Sequence, residues 1–480
     1  MDDLRYLSAN EALARFRSRS LSPVELLDAL IDWSQKANPV INAVAEQLFE
    51  QARSEAAAAA DRYVKAPDEV RPLEGLPVAI KEEQPIAGRS WTEGSLLFAD
   101  RVAETTHPVV ERVRAAGGIV HLRTTTPEFS CAISTHSKLW GVTRNPWNLD
   151  YSPGGSSGGS AATLAAGMAP LATGSDIGGS IRVPSGCTGV VGFKPPYGRV
   201  PEMPPFNLDA YCHAGPMARN VSDCALLQNV LVGSHPIDHV SLHPTVTIPA
   251  PLEGIAGLRI ALAVNLGDWL VEDEVDANTR AVGEALRGAG AVVEEVSVGL
   301  SRADVERAAE IHFSAIFGTL VSEESQAGRE LLSPYARQLA ERSAQPPGTW
   351  LEGLMLEAAV NDRVAPLFER HDALICPTAG FSALPAGKDY LDRDFVVAGR
   401  QADPMFDATM TLPFNILSRH PVLAAPSGWA SSGVPTGVQI VGRTYDDVTP
   451  FRIGAALERE RPWGYGDEQH LPAMAAGVRA

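Results

Sequence analysis

The densest chemistry in the chain lies in two neighbouring segments. Ser152-Pro-Gly-Gly-Ser156-Ser157-Gly-Gly-Ser160 is followed at 174–182 by Gly-Ser-Asp-Ile-Gly-Gly-Ser180-Ile-Arg. Glycine in such number costs backbone entropy. What it offers in return is a run of N–H groups that can converge on an anion, as in a phosphate loop or an oxyanion hole. A phosphate loop ends in Gly-Lys-Ser/Thr, and no Lys lies between 138 and 194. Gly154–Gly159 do not give the dinucleotide pattern Gly-x-Gly-x-x-Gly either. A flexible linker fits poorly, because apolar Ala161–Leu164 and Val190–Phe193 flank the segments and Asp-Ile and Ile-Arg interrupt them.

A serine nucleophile needs a base. Gly154-Gly-Ser156-Ser-Gly158 matches the Gly-x-Ser-x-Gly nucleophile elbow, and so does the frame centred on Ser157. That motif requires a preceding strand, whereas Asn145–Pro153 reads as loop. Its His would come from His420 or His470. The other base is a Lys of lowered pKa. Only six of the 40 basic residues are Lys, so few positions can serve. Lys81 ends the apolar run Leu76–Lys81, a buried strand by its pattern. Glu82 and Glu83 follow it, and pairing with them would make Lys81 an ordinary strand-end residue. On the residues alone both bases stay open.

The elements around these segments alternate between helix and strand. Ser8-Ala-Asn-Glu11 and Ser22-Pro-Val-Glu25 are capping boxes that open two helices, and a third is expected over Ala45–Val64. Helix His107–Ala116 leads through Gly117-Gly118 to strand Ile119–Arg123, and another helix covers Val221–Val232. Residues Ser234–Gly257, rich in Pro and His, read as a surface connection. Beyond them come strand Leu258–Val264, helix Val275–Arg287, strand Ala291–Val298 and helices over Ala303–His371. Short buried strands follow at Ala373–Cys376, Val422–Ala425 and Pro435–Gly442, then a helix through Glu458. This order predicts an α/β fold with a mixed, twisted central sheet and helices on both faces. A single domain over 1–480 is expected, with a helical segment at 1–70.

Composition narrows the partners. The chain has 480 residues, 45% hydrophobic and 20% charged, which is ordinary globular composition. Its formal charge of −18 repels phosphate backbones, so neither nucleic acid nor an anionic membrane is expected as a partner. Five Cys in an odd, unpatterned set predict reduced thiols rather than disulfides or a zinc site. The first residues, Met-Asp-Asp-Leu-Arg, contain no apolar leader, and the expected location is cytoplasmic.

Taken together, the motifs resemble the amidase signature family. Gly75-Leu-Pro-Val-Ala-Ile-Lys81 is similar to the family's Gly-x-Pro-x-x-x-Lys element. Thr126-Pro-Glu-Phe129, Thr143–Asn148 and Pro153–Ser160 resemble the stretch leading into the signature. Asp176–Pro184, Val191–Pro195 and Gly215–Arg219 resemble its body, and Gly433–Gly442 a C-terminal motif. The match is specific over about 75–220 and thin over 235–405. The resemblance implies a small-molecule amide substrate, hydrolysed to acid plus amine or ammonia through an acyl-enzyme and a Ser-cisSer-Lys triad. Lys81 would be the base, Ser156 the bridging serine and Ser180 the nucleophile. The oxyanion hole would be the backbone of Ile177, Gly178, Gly179 and Ser180, with Asp176 and Arg182 bracing the loop. Substrate contacts would come from Cys131, Ile133 and Ser134 and from the variable region 235–420. There Phe313, Phe317, Trp350, Met355, Phe406 and Phe414 favour an apolar or aromatic acyl group. No metal and no cofactor is called for. A homodimer is left open, and so is the alternative of a glutaminase-type subunit of an amidotransferase. Glu82 stands where the family usually has Asp.

Overall fold

In the computed structural model, which describes residues 3–391, 393–465, 472 and 474, eleven strands join in one mixed sheet. In chain order these are β1 (Val44–Gln47), β2 (Pro77–Lys81), β3 (Ile119–Thr124), β4 (Leu171–Asp176), β5 (Val191–Lys194) and β6 (His213–Ala218). They continue as β7 (Arg259–Leu262), β8 (Val292–Glu295), β9 (Ala373–Pro377), β10 (Val422–Trp429) and β11 (Pro435–Gly442). Across the sheet the order is β1-β3-β2-β4-β6-β5-β10-β11-β9-β7-β8. β2 runs parallel to both β3 and β4, β7 runs parallel to both β8 and β9, and the remaining neighbours are antiparallel.

Successive side chains of a strand face opposite sides, and the core divides accordingly. Val78, Ile80, Leu171, Ile260, Ile375, Leu423 and Ile440 enter one cluster with residues of helices Ala9–Ser18, Pro108–Ala115, Val221–Leu231 and Val448–Glu460. On the other face Ala79, Leu122, Ala172 and Met217 meet helices Pro23–Ile41 and Gly158–Ala165. Further along that face Ala261, Leu374 and Val422 pack on Arg302–Phe313 and Trp350–Phe368. The fold is α/β, with helices on both faces of a mixed sheet.

Most expected elements occur, including the reciprocal capping box of Ser22 and Glu25. The helix expected from Ala45 is an exception. It begins at Phe49, and residues 44–47 form the edge strand β1. The preceding helix ends at Asn42, which is left-handed at φ 50°, and Asn38 Oδ1 accepts the N–H groups of Ala43 and Val44. Those bonds turn the chain onto the sheet edge before the Ala run can nucleate. The stretch 303–371 holds four α-helices, in line with the helices expected there, and a π-helical turn at Ser314–Gly318 joins the first two. Residues 234–257 are irregular, as expected. All five cysteines are free, and no helix among the described residues is long and apolar enough to cross a membrane.

The site owes its position to β2 and β4. Their parallel pairing, Val78 with Leu171 and Ala79 with Ala172, carries the ends of both strands to the same edge of the sheet. Lys81 closes one strand and Asp176 the other. Asp176 then ties down the loop that follows it. Its carboxylate accepts from the N–H groups of Gly179 and Ile181, from Arg182 Nη2 at 2.8 Å and Nε at 3.0 Å, and from Asn415 Nδ2 at 2.9 Å. Arg182 in turn reaches Thr411 O, Gln439 Oε1 and Asn415 Oδ1. Both partners are fully buried. Burial by itself would raise the Asp176 carboxyl, but the Arg182 charge and these hydrogen bonds hold it well below the usual carboxylate range.

Removing one member of such a pair strands a buried charge. Arg182→Ala is expected to cost about 3–5 kcal/mol in urea unfolding, whereas the paired apolar replacement Asp176→Leu with Arg182→Met should recover part of that loss. A loss below about 1 kcal/mol for Arg182→Ala would show that the loop does not depend on this pair.

Candidate active site

Lys81 enters the site fully buried. An ammonium has three donors, and three acceptors meet it: Ser156 Oγ at 2.7 Å, Ser175 Oγ at 2.9 Å and Glu83 Oε2 at 3.1 Å. Burial pushes the Lys81 pKa down, the Glu83 carboxylate pulls it up, and the net shift is downward. For Glu83 burial acts in the opposite direction, but Lys81 and the Ser130 and Ser175 hydroxyls keep its carboxyl below the usual range. Glu82 faces away from the amine. It accepts from Thr92 N, Thr92 Oγ1 and Glu93 N, pinning the loop at 92–93, and burial pushes its carboxyl up to about 7. Of the two acidic residues after Lys81, the second is therefore its ion-pair partner.

Ser156 follows a cis Gly155–Ser156 peptide bond, in keeping with the cis serine that the resemblance implies. A side chain at Gly155 would collide with Ala132 O at 2.5 Å, so only glycine lets this segment lie against residues 132–133. The next residue, Ser157, donates its N–H to Ser180 O at 3.1 Å and its hydroxyl to Ser175 O at 3.3 Å. The two glycine-rich segments are thus stitched together through main chain, directly above the end of β4.

Ser180 is half-buried at the wall of a cavity, and its hydroxyl makes no hydrogen bond to another described residue. Among the residues before it, the N–H groups of Ile177 and Gly178, like that of Ser180 itself, have no acceptor among the described residues. Gly179 differs: its N–H is engaged by Asp176 Oδ1 at 2.9 Å. What Gly179 contributes is backbone shape, at φ +128° and so close to Thr411 that a Cβ would lie 2.2 Å from its hydroxyl. Ile177, Gly178 and Ser180 line the same cavity with three N–H groups that have no acceptor among the described residues and one hydroxyl likewise unbonded, an arrangement suited to nucleophilic attack on a carbonyl.

The cavity at Ser180 has a volume of about 180 Å³. Cys131, Ile133 and Ser134, the residues expected to contact substrate, line this cavity, and Ser134 Oγ is buried without a hydrogen-bond partner among the described residues. Of the six apolar residues singled out from the variable region, Phe313, Phe317 and Phe406 line the wall. Phe414 is core, and Trp350 and Met355 are exposed on helix Trp350–Phe368. Tyr335, Leu339 and Met405 also line the wall and had no motif to mark them. A second cavity, of about 240 Å³, adjoins Ser156 and Ser175 on the Lys81 side. The two share Ser130, Ile177 and Phe317.

The elbow arrangement has no such support. No strand leads into Ser156, and His420 donates through Nδ1 to Gly442 O at 2.7 Å while its ring stacks on Phe368. His470 lies outside the described residues.

Comparison with known proteins agrees with this geometry. The family model described as Amidase matches residues 25–450. An acylamidase of Rhodococcus erythropolis is 31% identical over 467 residues, covering 96% of this chain and 97% of that protein. A glutamyl-tRNA(Gln) amidotransferase subunit from Roseiflexus sp. (strain RS-1) is 32% identical over 504 residues, covering 96% and 97%. The crystal structure of a bacterial aryl acylamidase of the amidase signature family superposes with a TM-score of 0.89 at 28% identity, covering 98% of this chain and 99% of that one. A match that runs through nearly the whole fold and through every segment that builds the site has one reading: the chain is an amide-hydrolysing enzyme and belongs to the amidase signature family.

Proposed function

We propose that the enzyme cleaves a carboxylic amide by way of an acyl-enzyme on Ser180, with Lys81 as base and Ser156 as the relay between them. The observation that carries this reading is the 2.7 Å hydrogen bond from a fully buried Lys81 amine to Ser156, set beside a Ser180 hydroxyl that opens onto a cavity. An unperturbed Lys, with pKa about 10.4, is neutral in only about one molecule in a thousand near pH 7.5. Burial raises that fraction. Neutral Lys81 takes a proton through Ser156 from Ser180, whose oxygen attacks the carbonyl carbon. The oxyanion collects the N–H groups of Ile177, Gly178 and Ser180, each worth about 3–4 kcal/mol where one such donor has been removed from a serine protease. Ser156 returns the proton to the leaving nitrogen as the C–N bond breaks. Water, deprotonated by the same relay, then releases the acid.

The apolar wall of Phe313, Phe317, Leu339, Met405 and Phe406 suits an apolar or aromatic acyl group. The acylamidase and aryl acylamidase likenesses support the same class. The amidotransferase likeness supports a second reading, a glutaminase-type subunit that works in a complex. Glutamine turnover that appears only after a partner protein is added would favour it.

Two measurements test the mechanism. A sulfonyl fluoride probe should attach to the peptide holding Asp176–Arg182, and the labelling should fall at least about tenfold in Lys81→Ala. An adduct on Ser156 or Ser157 would overturn the assignment of the nucleophile. The second measurement concerns Glu83. Its carboxylate favours the charged form of Lys81, and the base must be neutral, so activity rises as pH climbs through the Lys81 pKa. Glu83→Gln removes that pull, lowers the Lys81 pKa further and should move the rising limb of kcat/KM to lower pH, by about one unit or more. A limb that stays in place, or moves to higher pH, would exclude Glu83 as the group that sets it.

A further inference from the structure

The two cavities divide the catalytic groups between them. Ser180 and the loop residues Gly178 and Gly179 face the first, whereas Ser156, Ser175 and Glu83 face the second. An amide cleaved here has its carbonyl carbon at Ser180 and its nitrogen at Ser156, because Ser156 must protonate it. The acyl part then extends into the first cavity and the amine part into the second. At about 240 Å³ the second cavity has room for far more than ammonia.

Its lining carries more negative charge than it balances. Glu83 is paired with Lys81 and Glu93 with Arg101. Glu202 accepts from the His107 imidazole and from Met203 N–H and has no Lys or Arg partner among the described residues, and Glu324, exposed at the cavity rim, has no hydrogen-bond or ion-pair partner among them. The Glu83 and Glu324 charges both push the Glu93 carboxyl upward, in the same direction as its burial. Trp91, Phe98, Phe129 and Phe206 also stand in the wall; the Arg101 guanidinium lies over the first two rings at 3.9 Å, which leaves Phe129 and Phe206 for a bound group. Aromatic faces and carboxylates together attract a cation. An independent mark of a ligand is Gln84. Its side chain is buried in this wall, its Oε1 accepts from Thr173 Oγ1, and its Nε2 has no acceptor among the described residues. A buried donor left unpaired is costly, and it marks this wall as one that meets a ligand.

We propose that the second cavity is a leaving-amine subsite that selects N-substituted amides whose amine part carries a positive charge, with Glu324 and Glu202 as the residues that determine this specificity. The inference rests on the amide-cleaving reading above and deepens it. The bond broken is the C–N bond of a secondary amide. The proton from Ser180 goes to the nitrogen through Ser156, and the released amine departs past the carboxylates while the acyl group remains on Ser180.

The test uses the purified enzyme and three phenylacetyl amides that differ only in the leaving amine: ammonia, 3-methylbutylamine and N,N-dimethylethylenediamine. The last two are close in shape, and only the last carries a charge. The readout is the ratio of kcat/KM for the cationic over the neutral substituted amide. A ratio of about five to ten is expected, falling as salt is raised. In Glu324→Gln with Glu202→Gln it should drop to about one, and in Glu324→Lys below one. Because each ratio is taken within one protein sample, partial loss of folded enzyme does not move it. A ratio near one in the wild type, or one that the substitutions leave unchanged, overturns the subsite. Faster cleavage of the unsubstituted amide than of both substituted ones overturns it as well, and would favour the glutaminase-type reading. Absence of turnover for all three amides, with no acyl group trapped on Ser180, overturns the amide-cleaving reading and the subsite with it.

Discussion

A cationic side chain brought to zero exposure is the constraint around which this enzyme is arranged. Lys81 cannot be buried without acceptors, and its three come from three places: Ser156 from the first glycine-rich segment, Ser175 from the end of β4 and Glu83 from the turn after β2. Satisfying the amine therefore fixes how these segments lie against one another. The same burial lowers the pKa, which is what the proposed role of base requires. Structure and chemistry make the same demand here, so a change that relieves one disturbs the other.

The Asp176–Arg182 pair meets a second demand. In the proposed mechanism the N–H groups of this loop are left for an oxyanion, so they cannot also hold the loop together. Asp176 takes over that task by accepting from Gly179 and Ile181, and Arg182 extends the support to Thr411, Asn415 and Gln439. This accounts for the division of labour within Ile177–Ser180: three N–H groups stay free, and one is given up to rigidity. The brace draws on residues more than 200 positions away, which explains how a C-terminal segment without any nucleophile or base still belongs to the site.

The legible parts of the sequence were those with a local signature. Capping boxes, apolar runs and glycine pairs marked most helices and strands, and the order of motifs brought Lys81, Ser156, Asp176 and Ser180 to notice. β4 carried no such signature. Leu171-Ala-Thr-Gly-Ser-Asp176 is almost wholly buried and hence shows no alternation, and its small residues are there to admit neighbours rather than to fill space. β1 was hidden because a good helix former follows it at once, and the turn that separates them depends on the side chain of Asn38. Glu83 illustrates the remaining difficulty. Two adjacent carboxylates looked equivalent, and only the turn at the end of β2 decides which one meets the amine. Gly179 was expected as an oxyanion donor on position alone, and a hydrogen bond from its own N–H to Asp176 was invisible at that level.

The walls of the two cavities come from different stretches of chain. The first draws on 131–134, 313–342 and 388–406, and the second on 83–107, 202–212 and 320–324, with Ser130, Ile177 and Phe317 in common. Variation in one set leaves the other physically untouched, since few side chains bridge them. A scaffold built in this way can drift along two axes separately, exchanging what it recognises on one side of the scissile bond while keeping what it recognises on the other. The three shared positions are where the axes meet. Substitutions there must satisfy both sides at once, so the freedom of the whole surface narrows to a few residues beside the serines.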